Sequence, residues 1–176
     1  MMTPLSGYIP RSARTVVAFL LASLAPLAYG APLATVGQQA PALQWARLEG
    51  GNTALQQLRG RPVLLNYWAS WCGPCLKELP DLQRFAKAQS ASKSGVQVIG
   101  IAQDEADAAA ALRDQLQLTY PQLLETEGPP GSAAAFGNRA GTLPFSVLIG
   151  ADGRILKVHN GLLHPEDLDR WAAASN

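Results

Sequence analysis

The chain has two cysteines in 176 residues, Cys72 and Cys75, and both fall within WCGPC, Trp71–Cys75. Two thiols at this spacing can exchange disulfides with a partner protein, form a structural bridge, or supply half of a zinc site. A bridge here would close a very small loop. In the chain-entropy picture stabilisation grows with loop length, so it would add little to folding. A zinc site would also need His159 and His164, more than eighty residues further on, against the roughly 12–15 that separate ligand pairs in zinc fingers. Redox exchange makes the fullest use of the spacing; accidental proximity is the remaining alternative.

The elements around the pair decide its reactivity. VLLNYW, Val63–Trp68, is an almost unbroken apolar run and predicts a strand covered on both faces. After the pair, Leu76, Leu79, Leu82 and Phe85 recur every three residues beside Ala86, with Lys77, Asp81, Arg84 and Lys87 on the other side. This pattern predicts an amphipathic helix of about four turns. The cysteines therefore stand where a strand gives way to a helix N-terminus. Unpaired N–H groups and a partial positive charge gather there. They stabilise a thiolate on Cys72 and make it the expected nucleophile. Cys75, one turn on and less exposed, would attack the mixed disulfide on Cys72 and release the reduced partner. Pro74 suits the first turn, where a missing N–H is harmless.

The rest of the chain alternates strands and helices. Leu43–Leu48 predicts a short strand and Glu49–Asn52 a turn, with a capped helical turn at Thr53–Leu58 ending at Gly60. Val96–Ile101 predicts the next buried strand. Asp104 is placed to cap a helix over Glu105–Leu116 that turns Ala108, Leu112 and Leu116 inward. Thr119–Leu124 reads as extended, Glu125–Ser132 as a surface loop containing GPPG, and Ala133–Phe136 as a helical turn closed by Gly137. Phe145–Ile149 and Ile155–Val158 predict a hairpin. Pro165 starts a last helix that buries Leu168, Trp171 and Ala172. Such an order implies an α/β domain with a mixed sheet.

Composition agrees with one globular domain: 48% of residues are hydrophobic and 15% charged, with a net charge of +1. No basic block points to nucleic acid. Arg11 and Arg14 precede the apolar run Thr15–Gly30, which ends in small residues. This is the pattern of a secretory signal peptide, cleaved after Gly30. An uncleaved anchor competes, although the run is shorter than the roughly 20 residues of a spanning helix and Pro26 interrupts it. The junction has no cysteine for lipidation and no Arg-Arg pair. Without these thirty residues the chain has 12 basic and 13 acidic residues. The expected organisation is a leader at 1–30, a linker at 31–40 and one domain at 41–176.

LNYWASWCGPCLKELPDLQRF, Leu65–Phe85, strongly resembles the exported thioredoxin-like disulfide reductases of the TlpA type, and the likeness runs from about Pro41 to the C-terminus. The resemblance implies a thioredoxin-like fold: a central mixed β-sheet flanked by helices, with an N-terminal strand extension and a central insertion after Val96–Ile101. It implies Cys72 as attacking and Cys75 as resolving thiol of a redox-active disulfide. It places Leu143-Pro144 at the family's cis-proline loop beside the dithiol. Independently, a proline directly before FSVLI cannot donate to a ladder and must start the strand. Trp71, Gly73, Pro74, Leu143 and Pro144 are thereby the expected substrate-binding residues. Asn66 stands where cytosolic thioredoxins have a buried Asp, as is common in the exported branch. Glu78, three residues after Cys75, is the expected replacement as proton acceptor; the alternative is a solvated glutamate beside Lys77. Pro80 matches the family's helix-kinking proline. Trp68 is assigned to the core. His159 and His164 have no part in the mechanism, although His164 could cap the last helix.

The expected protein is a periplasmic disulfide reductase, monomeric and without a prosthetic group or metal. It would act on oxidised periplasmic proteins or apocytochrome c and be re-reduced by a membrane thiol donor. Two other classes stay open: a disulfide-forming oxidant on the same fold, and a dithiol module that binds copper or senses redox state. Gly73-Pro74 resembles the central pair of reducing thioredoxins. A copper site would call for Met near the dithiol, and Met1 and Met2 lie in the leader.

Overall fold

The computed structural model describes residues 34–175. The leader and the first linker residues lie outside them. Among the described residues no helix is long and apolar enough to cross a membrane. The strands are β1 (Gln44–Arg47), β2 (Asn52–Ala54), β3 (Val63–Trp68), β4 (Gln97–Ala102), β5 (Gln122–Leu124), β6 (Phe145–Ile149) and β7 (Ile155–Asn160). The helices are α1 (Gly73–Ser90), α2 (Ala106–Gln115) and α3 (Pro165–Ala174), with short 3-10 turns at Leu55–Leu58 and Gly131–Phe136.

All seven strands join one sheet in the order β2-β1-β5-β4-β3-β6-β7. β3, β4 and β5 run parallel, as strands joined through crossover helices must. The other pairings are antiparallel. This is the thioredoxin-like α/β architecture, with β1 and β2 as an N-terminal extension and α2 with β5 inserted after β4.

β3 shows how one apolar run serves two cores. Strand side chains alternate between faces. Leu64 and Trp68 pack under the helices with Leu79, Leu82, Phe85, Leu168 and Trp171. Val63, Leu65 and Tyr67 face the other way, against Trp45, Phe136, Phe145 and Val147. The strand is buried along its whole length, as its composition requires.

Local chemistry overrode several expectations. Asn52–Ala54 pairs with β1 as a strand, so the helical turn begins only at Leu55. Asp104 does not cap α2. Its carboxylate instead accepts from the Ser70 backbone N–H at 2.6 Å, and Glu105 takes the N-cap position without a side-chain bond. His164 stands at the N-cap of α3, but its side chain makes no capping bond; the Asp167 carboxylate accepts from the His164 backbone N–H instead. His159 lies on β7, its Nε2 3.2 Å from the Leu162 carbonyl oxygen.

The lead before β1 is pinned to the start of β7. Gly37 N–H donates to the Ile155 carbonyl, Ile155 N–H to Gln38, and Ala40 N–H to Gly153. Gln39 and Arg154 form an isolated antiparallel bridge.

Gly100 has a packing role of its own. A Cβ at this position in β4 would lie 2.0 Å from Gln122 Oε1. That side chain is fully buried, accepts from Trp68 Nε1 at 3.0 Å and donates to the Tyr120 carbonyl at 3.2 Å. It has nowhere to retreat. Gly100→Ala is therefore expected to lose about 1–3 kcal/mol, the usual range for overpacking a core. Urea denaturation of the two proteins checks this; an unchanged midpoint would mean that Gln122 can move aside.

Candidate active site

The site is built where β3 ends. Trp68 is wholly buried, and its indole bond to Gln122 fixes the end of the strand. Ser70 is held by Asp104, and the Cys72 N–H donates back to the Ala69 carbonyl. The chain then enters α1 with Cys72 as N-cap and Pro74 in the first turn. Cys72 and Cys75 are joined in a disulfide with Cα atoms 5.2 Å apart.

Cys72 Sγ accepts a hydrogen bond from the Cys75 backbone N–H at 3.2 Å. A side-chain acceptor at an N-cap normally meets one of the unpaired donors of the first turn, and here the acceptor is sulfur. The donor and the helix dipole both favour negative charge on Cys72. Cys72 is 5% exposed and Cys75 1% exposed. A partner therefore meets Cys72 first.

Around this nearly covered sulfur lies an exposed apolar rim. Trp71 is 63% exposed, and Gly73 and Pro74 are also at the surface. A Cβ on Gly73 would touch nothing, so the glycine keeps the surface beside the disulfide flat. Leu76 departs from expectation: it is exposed rather than part of the core. Every-third spacing drifts around a helix of 3.6 residues per turn. The face that turns inward is Cys75, Glu78, Leu79, Leu82 and Phe85. Pro80 sits inside α1 and withholds the donor that the Leu76 carbonyl would otherwise receive.

The Leu143–Pro144 peptide is cis. Pro144 is buried and Leu143 half-buried. β6 pairs antiparallel with β3 so that Phe145 stands opposite Tyr67, which brings Pro144 level with Trp68 at the edge that leads to Cys72. The Pro144 carbonyl accepts from Gly161 N–H at 2.8 Å.

Glu78 is not a solvated glutamate. It is 1% exposed, one turn from Cys75 on the same inward face. Asn66 Nδ2 donates to its Oε1 at 2.9 Å and also to Ser146 Oγ at 3.0 Å. Burial pushes the Glu78 carboxyl up to about 8, against the opposing pull of the Leu163 backbone N–H and the Asn66 amide. Such a group can change protonation near neutral pH, as a proton acceptor for a thiol must. Ser146 had no sequence signal. Asn66, a lone polar residue inside VLLNYW, did have one, but its partners lie on other elements.

The described residues thus place at one end of the sheet a helix-capping disulfide, an apolar rim, a cis proline and a buried titratable carboxyl. The chain is also similar to known proteins. Residues 36–158 match the AhpC/TSA family. The thiol-disulfide oxidoreductase ResA of Bacillus thuringiensis is 31% identical over 137 residues, covering 77% of this chain and 76% of that protein. A structure from Chlorobium tepidum, assigned as thiol:disulfide interchange protein DsbE, superposes with a TM-score of 0.70 at 25% identity, over 80% of this chain and 96% of that one. A secreted thiol-disulfide isomerase from Corynebacterium glutamicum gives 0.69 at 28% identity, over 77% and 83%.

Proposed function

The chain belongs to the AhpC/TSA family and is a thioredoxin-like thiol–disulfide oxidoreductase related to ResA and DsbE; from that premise we propose that it reduces protein disulfides in the periplasm. The observation that carries the reading is the Cys72–Cys75 disulfide at the N-terminus of α1, with a donor aimed at Cys72 Sγ. The secreted Corynebacterium glutamicum protein to which the chain is similar and the basic-apolar leader both support export. The finer assignment is to the TlpA type, with oxidised periplasmic proteins or apocytochrome c as substrate and a membrane thiol donor restoring the dithiol.

The reaction runs in two exchanges. The Cys72 thiolate attacks a substrate disulfide; the sulfur–sulfur bond of the substrate breaks, one substrate thiolate leaves, and a mixed disulfide forms on Cys72. Cys75 then gives its proton to the Glu78 carboxylate and attacks Cys72 Sγ. The second substrate thiolate leaves and takes up a proton. The Cys72–Cys75 disulfide is the oxidised product, which a donor thiol pair must reduce. Trp71, Gly73, Pro74 and Leu76 offer the partner an apolar surface, and the Leu143–Pro144 segment lies beside it to receive the partner's backbone.

Direction separates reductase from oxidant. The reduction potential of the Cys72–Cys75 couple, equilibrated against glutathione, is expected near about −270 mV, where reducing thioredoxins lie. A value near about −120 mV, that of a strong oxidant, would assign the protein to disulfide formation instead.

A further inference from the structure

We propose that Asn66 is a positioning residue for proton transfer: its amide, forked between Glu78 and Ser146, orients the Glu78 carboxyl and tunes its proton affinity for the resolution step. The inference rests on the reading of Glu78 as the acceptor of the Cys75 proton.

Asn66 is 1% exposed in the middle of β3, on the face that carries α1. A primary amide nitrogen has two hydrogens. Both are used, one on Glu78 Oε1 and one on Ser146 Oγ. Ser146 is the register partner of Asn66 across the β3–β6 pair, so the strand pairing itself aligns the second bond. The first reaches up from the sheet to the helix that carries the dithiol. Asn66 thus ties the proton acceptor to β6, the strand that begins next to Pro144.

The surroundings leave this amide as the side-chain control on Glu78. No salt bridge reaches the carboxyl among the described residues. On α1 it shares the inward face with Cys75, one turn away. From the segment before α3 it meets the Leu163 backbone N–H. From the segment before β5 it feels the Tyr120 hydroxyl, which burial pushes up beyond its ordinary range and so keeps neutral. A hydrogen bond donated to a carboxylate favours its charged form. An Asp at position 66 could not supply that bond when ionised, and would add a like charge. The neutral amide makes Glu78 the lone acid of the pair and keeps it within reach of neutral pH.

The step under control moves one proton: Cys75 Sγ–H to Glu78 carboxylate, as the Cys75–Cys72 bond forms and the Cys72–substrate bond breaks. The test loads a chromogenic thiol onto Cys72 as a mixed disulfide and follows its release against pH. The proteins compared are wild type, Asn66→Leu, Ser146→Ala, Glu78→Gln and the Asn66→Leu/Glu78→Gln double variant. In Asn66→Leu the midpoint of the rising limb is expected to move up by about one pH unit, with release about tenfold slower at pH 7. The limiting rate at high pH should stay within about threefold, because the base is still present once ionised. Ser146→Ala, which leaves a small hole and lets the amide turn, should shift the midpoint the same way by less. With Glu78→Gln already present, Asn66→Leu should move nothing further.

Release slowed equally at every pH in Asn66→Leu, or slowed as much in the Glu78→Gln background, would reduce Asn66 to a packing role and overturn the proposal. If Asn66→Leu does not fold, an unmoved midpoint in Ser146→Ala overturns it. A Glu78→Gln protein that resolves as wild type does would instead remove the acceptor role of Glu78, and the role of Asn66 with it.

Discussion

Cys72→Ser is expected to abolish reduction of insulin disulfides, and Cys75→Ser to accumulate mixed disulfides that Cys72 cannot release. The asymmetry follows from the geometry of the first turn. The Cys75 N–H donor and the start of α1 act on the sulfur of Cys72. They favour its thiolate, the form that attacks. A serine hydroxyl ionises far too weakly to substitute at neutral pH. Cys75 has the opposite surroundings: it is 1% exposed, packed with Leu79 and Trp68, and its neighbour across the turn is a carboxyl group. Burial disfavours a second thiolate there. Cys75 is therefore the expected second thiol, which attacks once the mixed disulfide is in place. Trapping with a disulfide-bonded peptide, followed by mass spectrometry, distinguishes the two variants. Faster alkylation of Cys75 than of Cys72 in the reduced protein would reverse the assignment.

The second large effect is on stability. With its carboxyl raised to about 8 by burial, Glu78 holds its proton in the folded protein long after it would lose it in the unfolded chain. Below the unfolded value of 4.5 both states are protonated and the group is neutral in its effect. Between 4.5 and about 8 the unfolded chain ionises and the folded one does not, so folding loses about 1.4 kcal/mol for each pH unit gained. Above about 8 both are ionised and the slope from this group ends. The full loss is on the order of 5 kcal/mol for the oxidised protein, a large fraction of a typical domain's stability. Glu78→Gln should remove that slope, leaving a protein more stable than wild type at pH 8 and little changed at pH 4. The same variant should slow resolution and lower the apparent thiol pKa values of the reduced protein, because the neighbouring charge is gone. Carboxyl and thiols titrate as a coupled set, so the values belong to the site. Urea unfolding at several pH values and thiolate absorbance measure the two effects separately. Parallel pH curves for the two proteins would show that Glu78 ionises freely in the folded state.

This carboxyl marks the boundary of what the residue order makes legible. The dithiol, its helix and the strand before it are local features, and WCGPC after VLLNYW predicts them. Leu76 misleads because spacing of three approximates helical periodicity for one turn but not for four. Asn52–Ala54 misleads because it folds back across a tight turn onto β1 before the helical turn starts, and Asp104 misleads because its partner, the Ser70 amide, lies 34 residues away in sequence. The polar row beneath α1 is harder still. Ser146, Asn66, Gly100 and Gln122 lie side by side across β6, β3, β4 and β5. Each looks like an ordinary exception within an apolar strand until the register aligns them. Resemblance to a family pointed to Glu78 without them; the register explains why a buried acid is tolerable at that point.

The clasp of the lead on β7 bears on how the molecule keeps company with unfolded chains. An oxidoreductase of protein disulfides works among partners that expose strand segments, and an open sheet border invites them to zip on and aggregate. One border here is β2, only three residues long. The other is β7, whose first backbone groups are already taken by residues 37–40 and whose outer stretch carries Lys157 and His159. A short β2 border and an occupied start of β7, followed by Lys157, leave less unpaired backbone as a template for edge-to-edge pairing.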